Sequence, residues 1–193
     1  MSAARNGSAP ATIGVLALQG GFAAHVELLR GLGVRAHEVR SAGELDGLDG
    51  LVIPGGESTT MTLAIGRDAL AAPLRAFAAS GRPVLGTCAG MIMLDRAHLG
   101  LMDIACERNA WGRQAHSFET DLDVAGRQVR AVFIRAPWVA EAGAGVEVLA
   151  SVDGHPVAAR EGNLLAVAFH PELAGETGVH ELFLGRVGRV SSG

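Results

Sequence analysis

The chain contains no lysine; all 16 of its basic residues are arginine. Imine chemistry on a carbonyl substrate or cofactor needs a lysine amine, and a Walker-type phosphate loop needs its lysine too. Neither activity can come from this chain's own side chains. Tyrosine is also absent, which removes one common general acid. The two cysteines, Cys88 and Cys106, make no disulfide framework, and they point to a reducing, cytoplasmic setting. No apolar run is long enough to span a membrane. A net charge of −4 gives no electrostatic reason to expect nucleic acid. His25, His37, His98, His116, His155 and His180 follow no metal-ligand spacing, and Cys88 lacks a second thiol at CxxC distance, so no metal is expected.

What is present fits one domain. With 193 residues and 49% hydrophobic content, the chain can bury a sizeable core. Residues 1–12 are small and polar and read as a frayed extension rather than a signal peptide, leaving 13–190 as the domain. Ile13 to Leu18 is a buried strand, followed by the turn Gln19-Gly20-Gly21. Phe22, Val26, Leu29 and Leu32 then recur at helical spacing. Strands at Val34 to Val39 and Leu51 to Ile53, a helix from Thr59, and another through Asp68 to Ala79 continue the alternation. This rhythm predicts a three-layer α/β fold, a mainly parallel sheet with helices on both faces. After about residue 100 the pattern turns to strands: Met102 to Glu107, Phe118 to Val124, Val129 to Ile134, Val146 to Val152, Pro156 to Arg160 and Leu164 to Phe169. Asp153-Gly154 and Glu161-Gly162-Asn163 are hairpin signals. The expectation is a mixed or antiparallel extension of the same sheet, closed by a helix from about Gly178 to Val187.

Two short words carry chemistry. Gly86-Thr87-Cys88-Ala89-Gly90 follows the apolar Pro83-Val84-Leu85 and reads as a nucleophile elbow with sulfur in place of oxygen. Small residues are needed there, because larger ones would collide with the turn and the neighbouring strand. The following helix points its positive end at the sulfur, favouring thiolate. His170-Pro171-Glu172 ends another apolar run, and on an extended chain residues two apart face the same way, so His170 can serve as base with Glu172 as its orienter. Each word alone has an ordinary reading, a buried thiol or a turn. Both fall at the carboxyl ends of sheet strands, where open α/β sheets place ligands, and together they read as a nucleophilic triad. Cys106, in an apolar stretch, reads as structural.

Pro54-Gly55-Gly56-Glu57-Ser58-Thr59 also follows a strand and opens a helix that Ser58 or Thr59 can cap. Beside the elbow, the N–H groups of Gly55 or Gly56, with that of Ala89, are candidates for an oxyanion hole. Glu57 is then placed to pair with a substrate ammonium group. Arg108 and Arg135, each at a strand end, are candidates to fork onto a small carboxylate.

Gly-Thr-Cys-Ala-Gly with a late His-Pro-Glu resembles class I (triad) glutamine amidotransferases. Ile13 to Gly20, Pro54 to Met61, Glu107-Arg108-Asn109, Gly112-Arg113-Gln114, Ser117-Phe118-Glu119, Phe133 to Pro137 and Phe169 to Leu173 resemble, more narrowly, the glutaminase subunits of pyridoxal 5′-phosphate synthase. The resemblance implies a class I glutamine amidotransferase-like fold and hydrolysis of L-glutamine, with Cys88 as nucleophile and His170 and Glu172 completing the triad. It implies glutamine binding at Gly56, Glu57, Ser58, Arg108, Ile134 and Arg135, and no cofactor. It also implies a separate synthase subunit, an oligomeric barrel core, that uses the ammonia and carries the lysine chemistry this chain lacks. The Leu94–His98 connection is shorter than the family's. The alternatives are a glutaminase serving another synthase, such as that of imidazole glycerol phosphate formation, a non-catalytic regulator on the same fold, and a cysteine peptidase or γ-glutamyl hydrolase. The Pro54-Gly55-Gly56 loop is a candidate switch. The Gln19-Gly20-Gly21 turn with the start of the next helix, His25 included, is a candidate docking surface.

Overall fold

Strands that are apolar on both faces need cover on both, and helices supply it here. The computed structural model describes residues 9–108, 111 and 117–188. Asn109, the Gly112-Arg113-Gln114 motif, His116, and residues 1–8 of the expected extension lie outside the described residues. The elements run β1 (Thr12–Leu16), α1 (Phe22–Gly31), β2 (Arg35–Val39), β3 (Gly50–Ile53), α2 (Ser58–Arg67), α3 (Ala71–Ala79), β4 (Val84–Thr87) and α4 (Ala89–Leu94). They continue with β5 (Ile104–Glu107), β6 (Ser117–Val124), β7 (Arg127–Ile134), β8 (Trp138–Ala142), β9 (Glu147–Val152), β10 (His155–Glu161), β11 (Leu164–Val167) and α5 (Gly178–Leu184).

The main sheet has seven strands in the order β2-β1-β3-β4-β11-β10-β9. The pairs from β2 to β11 are parallel, and β10 and β9 add antiparallel. This bears out the mainly parallel sheet with an antiparallel extension. Ile13, Val15, Leu51, Val52, Ile53, Val84, Leu85, Ala166 and Val167 are all essentially inaccessible, so the centre of the sheet is core on both sides. No helix among the described residues is long and apolar enough to cross a membrane.

Three expectations need correction. The C-terminal strands do not all extend one sheet: among the described residues β5 pairs with β8, and β6 with β7, as separate antiparallel ladders. β8 itself has no counterpart in the sequence reading, because Trp138–Ala142 is exposed over its last three residues and shows no alternation. The strand before His170 stops at Val167 and α5 stops at Leu184, each shorter than expected.

The β6–β7 ribbon is anchored by aromatic packing. Phe118 and Phe133 stack with centroids 4.5 Å apart, and Phe133 meets Phe169 at 5.5 Å. His170 N–H donates to the Val132 carbonyl at 2.9 Å. The ribbon therefore fixes the segment that carries His170.

The elbow packs without slack. A Cβ at Gly90 would sit 1.9 Å from the Ile53 carbonyl oxygen, far inside van der Waals contact, so α4 can lie against β3 only with glycine there. Gly90→Ala is expected to destabilise the fold by about 1–3 kcal/mol through overpacking. Urea denaturation checks this, and an unchanged midpoint would contradict the packing.

Candidate active site

The parallel pairing of β4 with β11 aligns Gly86 with Ala166 and Thr87 with Val167. The residues that follow, Cys88 and His170, consequently leave neighbouring strands at the same edge. Cys88 N–H donates to the Val167 carbonyl at 2.8 Å, tying the two exits together. At Cys88 the chain turns with φ 49° and ψ −109°, a conformation that costs a non-glycine residue on the order of 1–3 kcal/mol. The strained turn carries the sulfur to the floor of a cleft of about 390 Å³.

That cleft brings together Gly56, Glu57, Ser58, Cys88, Ala89, Arg108, Ile134, Arg135 and His170. Gly55 and Glu172 do not line it; both lie behind. Gly55 is pressed against the pair, since a Cβ there would meet His170 Cε1 at 2.5 Å and Cys88 Cβ at 3.2 Å. Its carbonyl accepts from Gly21 N–H at 3.2 Å. Sequence reasoning left out Gln19, Ile92 and Pro137, which also line the cleft. For Gln19 the signal was available, as it follows β1 at the same carboxyl edge. Its Oε1 accepts from Glu57 N–H at 2.6 Å, which joins the two glycine turns.

His170 Nδ1 lies 2.8 Å from Glu172 Oε1, and the Glu172 side chain is almost wholly buried. The route differs from the expected one. The chain is not extended here; it enters a turn at Pro171, with Leu173 N–H on the His170 carbonyl and Glu176 N–H on that of Pro171. The turn, rather than strand alternation, brings the two side chains together. Burial alone would disfavour charge on His170, but the Cys88 sulfur and the Glu172 carboxylate outweigh it and push the imidazole up to about 10. Burial would also raise Glu172, yet the hydrogen bond from His170 and the nearby His25 ring hold it well below the usual carboxylate range. Cys106 sits apart in β5, where burial pushes its thiol up to about 12, as expected of a structural cysteine.

Glu57 does two jobs. It caps α2, a role expected of Ser58 or Thr59: its carboxylate accepts from Thr59 N–H at 3.0 Å, Thr60 N–H at 2.7 Å and the Thr60 hydroxyl at 2.8 Å. These bonds lower it to about 2. It also faces Arg108 at 3.7 Å. Arg135, with φ 44°, lines the far wall, and the Ile134 carbonyl lies 4.0 Å from the sulfur. A buried cysteine, an imidazole held by a carboxylate, Gly56 and Ala89 on the cleft wall, and one carboxylate with two guanidinium groups can support attack on a carbonyl of a small zwitterion.

The SNO glutamine amidotransferase family matches residues 15–189. The chain belongs to this family. It is 56% identical over 189 residues to the pyridoxal 5′-phosphate synthase subunit PdxT of Parafrankia sp. (strain EAN1pec), with 92% of this chain and 93% of that one covered. It is 50% identical over 181 residues to the protein of the same name from Niallia circulans, covering 89% and 95%. A crystal structure of a glutamine amidotransferase superposes with a TM-score of 0.86 at 44% identity, covering 91% of this chain and 98% of that one.

In this SNO family chain, the raised value of His170 has a definite sign. Its proton is kept through neutral pH and lost only as pH rises through about 10, rather than through the ordinary 6.5. NMR titration of the His170 ring is expected to show that high midpoint, and Cys88→Ala is expected to lower it. A midpoint near the ordinary value in the wild-type chain would contradict the ion-pair geometry.

Proposed function

We propose that the chain hydrolyses L-glutamine to glutamate and ammonia, and that it passes the ammonia to a pyridoxal 5′-phosphate synthase subunit in the cytoplasm. The observation that carries the chemistry is the alignment of Cys88, His170 and Glu172 at one sheet edge, open to a cleft with a carboxylate and two guanidinium groups. The relatives named as pyridoxal 5′-phosphate synthase subunits favour this acceptor over another ammonia-using synthase. The absence of lysine agrees, since imine steps then belong to the partner.

In the proposed reaction, Cys88 Sγ attacks the side-chain amide carbon. The N–H groups of Gly56 and Ala89 receive the oxyanion, with Gly55 behind them keeping the loop against His170. His170 donates its proton to the leaving nitrogen, the C–N bond breaks, and ammonia departs from a γ-glutamyl thioester. His170 then takes a proton from water, whose oxygen attacks the thioester carbon; the C–S bond breaks, returning the Cys88 thiolate beside the protonated His170, and the product leaves as glutamate with its acid proton passed to solvent. Glu172 holds the imidazole in register. Glu57 pairs with the α-ammonium group, Arg108 and Arg135 with the α-carboxylate, and Ser58 and Ile134 shape the walls.

The Gln19-Gly20-Gly21 turn and the Pro54-Gly55-Gly56 loop touch through the Gly21–Gly55 hydrogen bond, so docking at the first can act on the second. His25 is not part of that docking surface, because it is wholly buried.

The deciding experiment is ammonia release from glutamine with and without the synthase subunit. Cys88→Ala is expected to lose about a thousandfold or more in turnover. Cys106→Ala should change little, and full activity of Cys88→Ala would sink the assignment. Recognition is tested separately. Glu57→Ala is expected to raise KM for glutamine by about tenfold or more, the scale of a lost charge-assisted hydrogen bond. Turnover of N-acetylglutamine as good as that of glutamine would refute the ammonium contact.

A further inference from the structure

Two histidines that the proposed reaction does not use lie directly behind the triad. His25, from α1, and His180, from α5, are both wholly buried. His25 Nδ1 is 2.8 Å from His180 Nε2. On the other side of the ring, His25 Nε2 is 3.3 Å from Glu172 Oε2 and 3.2 Å from Thr87 Oγ1. Glu172 therefore sits between two imidazoles: His170 on Oε1, and His25 on Oε2. Oε2 makes no well-aligned hydrogen bond among the described residues; its contact is the 3.3 Å approach of His25 Nε2.

Imidazoles are poor filler for an apolar core, because each nitrogen taken from water needs a partner. Phenylalanine or leucine would fill these places with no such demand. The polar ring is required because Glu172 is a buried carboxylate with two oxygens to satisfy, and His170 serves only one. A bare imidazole nitrogen 3.3 Å from a carboxylate oxygen would be repulsive, so the hydrogen of His25 belongs on Nε2, between Thr87 Oγ1 and the Glu172 carboxylate. Nδ1 is then free to accept from His180 Nε2–H. Burial pushes His180 down to about 3, so it stays a neutral ring able to give that hydrogen.

We propose that His25, seated on His180, is a positioning residue for the glutaminase reaction: it steadies the Oε2 side of Glu172, so that Oε1 faces His170 Nδ1 and the His170 ring keeps its orientation. This rests on the glutaminase reading of Cys88, His170 and Glu172. With His25 unable to donate, the buried carboxylate loses one of its two anchors and can rotate or take up a proton. Either change loosens the His170 ring. His180 acts one step further out, by fixing which nitrogen of His25 carries hydrogen.

The test uses the complex with the synthase subunit and measures kcat and KM for glutamine in wild type, His25→Leu, His25→Gln and His180→Phe. His25→Leu and His180→Phe are expected to lower kcat by about tenfold or more, the usual scale for an outer-shell partner, with KM within about twofold. His25→Gln, whose amide N–H can reach the place of Nε2, is expected to recover most of the loss. If His25→Leu does not fold, His180→Phe carries the test. A purely structural role would lower the melting temperature of all three and leave kcat unchanged, or depress the Leu and Gln variants alike; either result overturns the proposal. The low-field proton NMR signal of His170 Nδ1–H gives a reading without turnover, expected in wild type and lost or shifted in His25→Leu. An unshifted signal overturns the positioning role, whereas a wild-type complex that releases no ammonia overturns the glutaminase reading instead.

Discussion

The close approach of α4 to the end of β3 governs the site. With Gly90 against the Ile53 carbonyl, the helix starts almost on top of the sheet, and the chain has one residue in which to turn from strand to helix. That residue is Cys88, and its positive φ is the consequence. The strain is held by the hydrogen bonds on either side, Cys88 N–H to Val167 and Met91 N–H to the Cys88 carbonyl. A turn so constrained has few ways to relax, so the sulfur is fixed relative to β11 and to the histidine that leaves it. The energy of the strained turn is small beside the burial of the surrounding core, which is why the fold can sustain it.

Behind the sulfur, one residue type is made to do three different things. His170 is held charged by neighbours of opposite sign, His180 is held neutral by burial, and His25 bridges a neutral ring to a carboxylate. Nothing in an imidazole distinguishes these cases. The surroundings do, and those come from four separate segments: α1, the elbow strand, the turn after β11, and α5. Glu172 is the point where they meet, since a buried carboxylate is tolerable only with donors on its oxygens.

Much of this was legible in the residues. The apolar runs gave the parallel strands, and the small-residue word around Cys88 gave the elbow, because both are local patterns with a local cause. Sheet membership was not legible. Nothing in β6 or β7 says that they pair with each other, and β8 is too exposed to show a strand's alternation. The His170–Glu172 contact was foreseen, but through an extended chain; Pro171 starts a turn instead. The capping role of Glu57 was hidden by its neighbours Ser58 and Thr59, which are the commoner caps. His25 and His180 are 155 positions apart, and a contact at that separation leaves no trace in a single sequence.

Two of the charges lining the cleft, Glu57 and Arg108, are held in unequal ways, and under the proposed binding of glutamine the difference bears on selectivity. Glu57 is locked by three donors from the first turn of α2, so its carboxylate keeps both its charge and its direction before any ligand arrives. Arg108 is about half exposed and, among the described residues, reaches Thr59 at 3.4 Å and Glu57 at 3.7 Å, contacts long enough to be given up with little loss. A zwitterion entering the cleft meets a fixed anion and an adjustable cation. The fixed group sets the register, because little ordering entropy remains to be lost there. The adjustable one then closes on whatever carboxylate the register presents. Under that reading, a ligand without the ammonium group finds Glu57 still bound to its own helix and gains nothing from it. The helix cap, an ordinary stabilising device, thereby also sets which end of the ligand is read first.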